Sequence, residues 1–225
     1  MALTEWLFLL APWAPALLWA WLLCCRGGFW WADQFLADDA RAADPWPAIL
    51  AIVPARNEAE TVLAALGSLL AQDYPGTLSV VLVDDASEDG TAELARRAFA
   101  GEARLHIVRT GTLPDGWTGK MWAVERGLAE IERVLPEARF VLLTDADIEH
   151  DPAGLTRLVA KAEGEDLGLV SLMVRLEVAT RWEKLLIPAF VFFFQKLYPF
   201  PWVNDPNRRA AAAAGGCMLV RRSVL

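Results

Sequence analysis

Cysteine and positive charge are the scarce features of this chain, and each scarcity excludes something. Three cysteines stand among 225 residues, with Cys24 and Cys25 adjacent and Cys217 far away. That is neither the spaced, even set of a disulfide scaffold nor the paired spacing of a zinc site, and it suits a reducing compartment. Acidic residues outnumber basic ones by 29 to 21, the net charge is -8 and the pI is near 4.9. A protein that covers phosphate backbones needs a basic face, so nucleic acid is excluded as a partner class. No Gly-x-Gly-x-x-Gly follows the first apolar run and no P-loop pattern of Gly, Lys and Ser/Thr occurs, which removes dinucleotide dehydrogenases and P-loop ATPases. What is abundant is apolar surface: 55% of residues are hydrophobic and 22% charged, enough to bury a full core and too apolar for a disordered tail.

Charge is also missing from one long run. From Trp6 to Cys25 the chain reads WLFLLAPWAPALLWAWLLCC, about the length that an α-helix needs to cross a hydrocarbon core of ~30 Å. The reading is a transmembrane anchor over residues 1–26, with Trp6, Trp13, Trp19, Trp21, Trp30 and Trp31 partly gathered at its ends, where indole rings favour the interface. A cleaved signal peptide is the rival. It lacks support, because MALTE carries no Lys or Arg and no small-residue cleavage site precedes Cys24. Pro12 and Pro15 are compatible with a kinked span. Glu5 before the run and Arg26 after it orient the remainder toward the cytoplasm. Residues 27–45, rich in Gly, Asp and Ala, read as a linker, and residues 46–225 as the main domain.

Within that domain, short β-rich runs alternate with helical patterns. AILAIVP is followed by a helix from about Glu58 to Gln72, LSVVLVDD by one from Thr91 to Phe99, RLHIVR by one from Lys120 to Arg133, and RFVLLTD by one from Pro152 to Glu163. A further strand-like run, LGLVSLMVRLEV, ends the series. The alternation predicts an α/β fold with a mostly parallel sheet and helices on both faces. Ligands of such sheets sit beyond the carboxyl ends of the strands. The chain places Asn57 and Glu58, Asp84 and Asp85, and Asp145 and Asp147 at those ends.

Each of these motifs has two readings. Asp145 and Asp147, two apart at a strand end, can turn their carboxylates to one side and chelate a hard divalent cation that also takes phosphate oxygens. They can equally belong to a solvated helix start, as Asp151 does ahead of Pro152, with Glu149 and His150 as loop residues. Ser87, Asp89 and Thr91 suit a helix cap, which leaves Asp84 and Asp85 as successive acids able to accept the N3–H of a uracil ring or to assist a metal. Lys120 opens a helix after a Gly-containing loop, a position fit for phosphate and also for an ordinary surface lysine.

Taken in order, VPARNEAETV, VDDASEDGT, GWTGKMWAVERGL and TDADIEHDP resemble family 2 glycosyltransferases of GT-A fold. LMVRLEV, LLIPAFVFFFQKLYPFPWVNDPNRR and AAAAGGCMLVRR resemble one branch in particular, the hopene-associated glycosyltransferases of bacterial hopanoid clusters. The resemblance implies that Pro54, Ala55, Asn57 and Glu58 line a nucleoside pocket, Asp84 and Asp85 hold the uridine, Lys120 lies near the diphosphate, and Asp145 and Asp147 bind Mg2+ or Mn2+, with Asp145 also on the donor. The chain departs from the family pattern at Glu125, where an Asn is frequent. The implied activity is inverting transfer of a sugar from a nucleoside diphosphate sugar, a UDP-sugar by the uridine contacts, to a lipid acceptor such as a hopanoid. The implied location is the bacterial inner membrane, with the domain facing the cytoplasm. The family's general base lies beyond the Gly-Gly segment, so the 225 residues are expected to be part of a longer protein with that base past Leu225. His150 is the nearby substitute, and it reads as a surface residue. The alternative from another class is a non-catalytic, membrane-anchored nucleotide-sugar-binding or scaffold protein.

Two features bear on the acceptor. Residues 185–203 form an aromatic, Pro-broken segment that reads either as an interfacial helix with Lys196, Tyr198 and Trp202 at headgroup level or as a buried core helix. Gly215 and Gly216 permit close backbone approach to an acceptor, or form a plain turn.

Overall fold

The computed structural model describes residues 13–37 and 45–225. Glu5 and Trp6 to Pro12 of the expected anchor, and residues 38–44 of the expected linker, lie outside the described residues. Two compact units are present: residues 36–174 with 213–225, and residues 1–35 with 175–212. Arg175–Ala212, within the stretch expected as the main domain, groups with the N-terminal segment.

The larger unit is built on a six-stranded sheet of order β3-β2-β1-β4-β6-β5. Its strands are β1 (Ile49–Ala55), β2 (Leu78–Asp84), β3 (Leu105–Arg109), β4 (Phe140–Thr144), β5 (Leu169–Ser171) and β6 (Cys217–Arg221). The pairs β1–β2, β1–β4 and β2–β3 are parallel, while β6 runs antiparallel to both β4 and β5. This is the mostly parallel α/β sheet that the alternation predicts. Successive residues of β1 feed two cores, because side chains alternate across a pleated strand. Ile49, Ala51, Val53 and Ala55 face one side, against α2 (Val62–Leu70), α3 (Thr91–Ala98) and α6 (Gly154–Gly164). Leu50 and Ile52 face the other, against Ala123 of α4 (Gly119–Leu128) and Ile131 of α5 (Ile131–Val134). A strand covered on both faces must be apolar at every position, which is why AILAIVP and LSVVLVD read as continuous runs.

Three details depart from the sequence reading. The helix expected over 120–133 is two, α4 and α5, parted by a turn at Ala129 and Glu130. The strand expected over LGLVSLMVRLEV keeps only Leu169–Ser171, which pair with Val220, Leu219 and Met218 of β6 at the edge of the sheet. That partner, in CMLVR, was not anticipated as a strand.

The smaller unit contains α1 (Trp13–Cys25), α7 (Arg181–Leu197) and the short α8 (Phe200–Val203). The stretch Arg181–Val203, 23 residues, is the one described segment long and apolar enough to cross a membrane, longer than the Pro-broken piece expected. Thr180 starts α7 with a reciprocal cap: its Oγ1 accepts from Glu183 N–H while the Glu183 carboxylate accepts from Thr180 N–H.

Tight packing of α4 onto the sheet gives a test. A Cβ on Gly127 would lie 2.4 Å from Ile52 Cγ2 and 3.2 Å from Val83 Cγ2. Gly127→Ala should therefore destabilise the detergent-solubilised chain by about 1–3 kcal/mol through overpacking. Gly164→Ala, where nothing lies within 4 Å of the added atom, should leave the denaturation midpoint unchanged or slightly raised.

Candidate functional site

The carboxyl ends of β1, β2 and β4 open onto a cleft of roughly 280 Å³ lined by Pro54, Ala55, Arg56, Glu58, Asp85, Gly119, Lys120, Ala123, Asp145, Ala146 and Asp147. Its mouth is set at Pro54. The Ala55 carbonyl accepts Asp85 N–H on the β2 side (2.8 Å), so by alternation the missing donor of Pro54 points toward β4, whose pairing with β1 already ends at Ile52–Leu143. No ladder bond is lost there, and the two strands part.

The loops after β1 and β2 are laced to each other. Asn57 N–H donates to Ser87 Oγ (3.0 Å), Glu88 N–H to Asn57 Oδ1 (2.8 Å), Glu58 N–H to Thr91 Oγ1 (2.9 Å), and Ala59 N–H to Asp89 Oδ2 (2.9 Å). Asn57 sits at φ +58, a left-handed conformation that Asn tolerates better than most residues. Ser87 and Thr91 were expected to cap α3. Instead the position before α3 is Gly90, with no side-chain cap, and these hydroxyls serve the neighbouring loop. The hydrogen bonds that Asp89 accepts from the Thr91 hydroxyl and from Ala59 N–H hold its carboxyl below the usual range.

Asp84 and Asp85 part ways. Asp84 is fully buried and outside the cleft lining: its Oδ1 accepts Ser87 N–H and its Oδ2 accepts Arg109 Nε–H, both at 3.1 Å. A buried carboxylate needs such partners, and here it has them. Asp85 faces the cleft, where Thr110 Oγ1 donates to Oδ1 (3.2 Å) and Arg56 Nη1 stands 3.6 Å from Oδ2. Gly119 sits directly against it; a Cβ there would lie 2.3 Å from Asp85 Oδ2.

Lys120 is the second residue of α4, where a cation opposes the helix dipole. Asp145 compensates, with Lys120 Nζ donating to Oδ1 at 2.6 Å across the cleft. Asp147 is exposed on the same side. Together Asp145 and Asp147 form a donor set of hard oxygens, which fits Mg2+ or Mn2+, ions that complete their shells with water and phosphate. Among the described residues no group of three or more His, Cys, Asp or Glu gathers around one point, so a ligand would have to supply the remaining donors. Cys217 adds nothing to the set: burial first, then the charge of Asp145, pushes its thiol up to about 11.

Of the residues singled out from sequence, the fold brings together Pro54, Ala55, Glu58, Asp85, Lys120, Asp145 and Asp147. Asn57, exposed, and Asp84, buried, are outside this lining. Gly215 and Gly216 lie beside it, with the Gly216 carbonyl accepting Asp145 N–H (3.1 Å). Arg56, Gly119, Ala123 and Ala146 complete the wall. Arg56 and Gly119 carried a signal, being set within VPARNEAETV and GWTGKMWAVERGL; Ala123 and Ala146 carried none. His150 is not the surface residue expected. It is half-buried, with Nε2 3.0 Å from Thr144 Oγ1 and its N–H donated to Ser68 Oγ (2.9 Å).

The sequence profile described as Glycosyl transferase family 2 matches residues 50–225. An N-acetylglucosaminyltransferase of Mesorhizobium japonicum is 28% identical over 197 residues, 83% of this chain and 42% of that protein. An undecaprenyl-phosphate mannosyltransferase of Micrococcus luteus is 35% identical over 124 residues, 53% of this chain and 46% of that protein. Among solved structures, a mannosyltransferase from Pyrobaculum calidifontis in complex with GDP-Man and Mn2+ superposes with a TM-score of 0.60 at 24% identity, over 96% of this chain and 55% of that one. At that identity the likeness shows the α/β GT-A-like fold. The chain spans less than half the length of the two curated relatives.

His150 gives the site a pH test. Burial lowers its pKa from the ordinary value near 6.5, so the unfolded chain takes up the proton first as pH falls. Stability from this residue is complete above about pH 6.5 and is lost on acidification through the folded-state value. Urea midpoints at pH 7.5 and 5.0 should show a larger acid loss in the wild type than in His150→Gln.

Proposed function

This chain belongs to glycosyl transferase family 2, and on that premise we propose that it holds a nucleoside diphosphate sugar, specifically a UDP-sugar, and passes the sugar to a lipid hydroxyl with inversion at the anomeric carbon. The observation that carries this is the convergence of Asp85, Lys120, Asp145 and Asp147 on one cleft. In this reading Asp85 accepts the N3–H of the uracil, its carboxylate oriented by Thr110, while Pro54, Ala55 and Glu58 flank the nucleoside. Asn57 and Asp84 act one step back, fixing the two loops that shape the pocket. Lys120 exchanges Asp145 for the diphosphate, a charge-assisted contact of the same kind. Asp145 and Asp147 hold the divalent ion, Mg2+ or Mn2+. Held there, it would supply positive charge for the departing diphosphate. Gly215 and Gly216 lie on the acceptor side.

The lipid acceptor, with a hopanoid as the first to test, draws support from two places. One is the name of the Micrococcus luteus relative, an undecaprenyl-phosphate mannosyltransferase. The other is α1, which is apolar and exposed, with no buried residue. A helix apolar all round and unburied in protein suits a bilayer. Membrane anchoring by Trp6–Cys25, in the bacterial inner membrane with the cleft toward the cytoplasm, belongs to the same reading, supported by the apolar α1 within that run and by Arg26 behind it.

Calorimetry of UDP and Mn2+ binding tests the donor half. Asp147→Asn should weaken Mn2+-dependent UDP binding by at least about 10–100-fold, the loss that follows even when only the groups supporting a metal's ligands are disturbed. Lys120→Met should act in opposite directions, raising Mn2+ affinity in nucleotide-free protein while lowering UDP affinity. UDP binding that needs no divalent ion and ignores both changes would remove the diphosphate-clamp reading. Mass spectrometry of lipids from cells with and without the gene tests the acceptor half.

A further inference from the structure

The smaller unit carries an amphipathic surface that sugar transfer itself does not use. Along α7, Glu183, Ile187, Val191, Phe194 and Gln195 fall on one arc and are half-buried or buried. On the opposite arc Trp182, Leu185, Leu186, Phe190 and Phe193 are exposed, between 50% and 72%. The spacings of three and four make this a single stripe. It carries no charge between Trp182 and Phe193, and an apolar stripe of this kind is rarely left open to water.

Cations and aromatic rings gather at the carboxyl end of the helix. Arg26 donates to the Lys196 and Leu197 carbonyls at 2.7 and 3.2 Å, closing the last turn of α7. Its guanidinium lies 5.7 Å from the Trp202 ring, whose other cation is Arg208 at 5.1 Å. Lys196 Nζ stands 5.6 Å from the Trp19 ring and 5.0 Å from Phe193. Arg181 and Lys184 are at the other end. Indole rings beside cations mark the headgroup level of a bilayer.

These features decide the orientation. From Lys184 to Lys196 the helix rises about 18 Å, short of the ~30 Å between the two headgroup layers. Lys184 and Lys196 reach one layer of phosphates together only if the helix lies flat. Protein takes up the other face, where Arg26 holds the last carbonyls and Trp19 meets Lys196, so the stripe is the face left for lipid. We propose that α7 lies in the plane of an anionic bilayer leaflet, with the Trp182–Phe193 stripe among the acyl chains and Arg181, Lys184, Lys196 and Arg208 at the phosphates. The mode is that of an interfacial amphipathic helix, strengthened by charge.

The test uses the full chain in vesicles of phosphatidylcholine and phosphatidylglycerol, with Cys24→Ser and Cys25→Ser so that only the buried Cys217 remains. Single nitroxide labels at Leu185→Cys, Leu186→Cys, Phe190→Cys and Phe193→Cys should report one common depth, oxygen-accessible and shielded from a water-soluble nickel chelate. A label at Val191→Cys, half-buried against protein, should be far less accessible to oxygen while still shielded from nickel. In phosphatidylcholine alone the stripe labels should become several-fold more accessible to nickel. A steady depth gradient from 185 to 193 would mean a crossing helix, and dipolar coupling between labels without lipid contact would mean a second copy covers the stripe; either overturns the proposal. Unchanged depth in phosphatidylcholine alone would overturn its anionic-headgroup part. No nucleotide enters the readout, so it stands apart from donor binding.

Discussion

Acids brought together at the carboxyl edge of a parallel sheet repel unless positive charge is placed among them, and this constraint organises the larger unit. The chain answers it at three depths. Asp84, without exposure, is matched by Arg109 and a backbone N–H. Asp85, at the cleft wall, has a hydroxyl at hydrogen-bond distance and a guanidinium 3.6 Å away. Asp145, further out, is paired with the point charge of Lys120. The more exposed the acid, the more readily its partner exchanges for a ligand, because water screens what is lost. Depth therefore separates the carboxylate locked into the fold from those whose partners stand at the cleft.

The same edge depends on the hydrogen bonds between the first two loops. Those loops have no strand partners of their own, and side chains supply what the ladder does not. Ser87, Asp89, Thr91 and Asn57 act as substitute backbone, each accepting an N–H of the opposite loop. Gly119 then brings α4 against Asp85 closely enough that no side chain fits between them. The wall formed by Arg56, Asp85, Gly119 and Lys120 is a consequence of these approaches.

The smaller unit obeys a different rule. Its two long helices bury little within the protein: α1 has no buried residue and α7 has only Gln195. Their exposed surface is apolar on all sides of α1 and on one side of α7. Water is a poor solvent for both.

Local chemistry determined much by itself. Continuous apolar runs alternating with helical patterns fixed the α/β layer and its parallel strands, since a strand covered on both faces must be apolar throughout. The strand-end positions of Asp85, Asp145 and Asp147 made the cleft legible for the same reason. Tertiary structure decided the rest. That Asp84 turns inward while Asp85 faces the cleft follows from the period of two and the position of Arg109 on the next strand, 25 residues away. That Ser87 and Thr91 serve another loop depends on neighbours some 30 residues off, which no local window contains. β6 needed β4 beside it to become a strand, and LGLVSLMVRLEV stayed a strand only over the three residues that pair with β6. A sequence states which groups must be satisfied; which group satisfies them is settled only when distant segments meet.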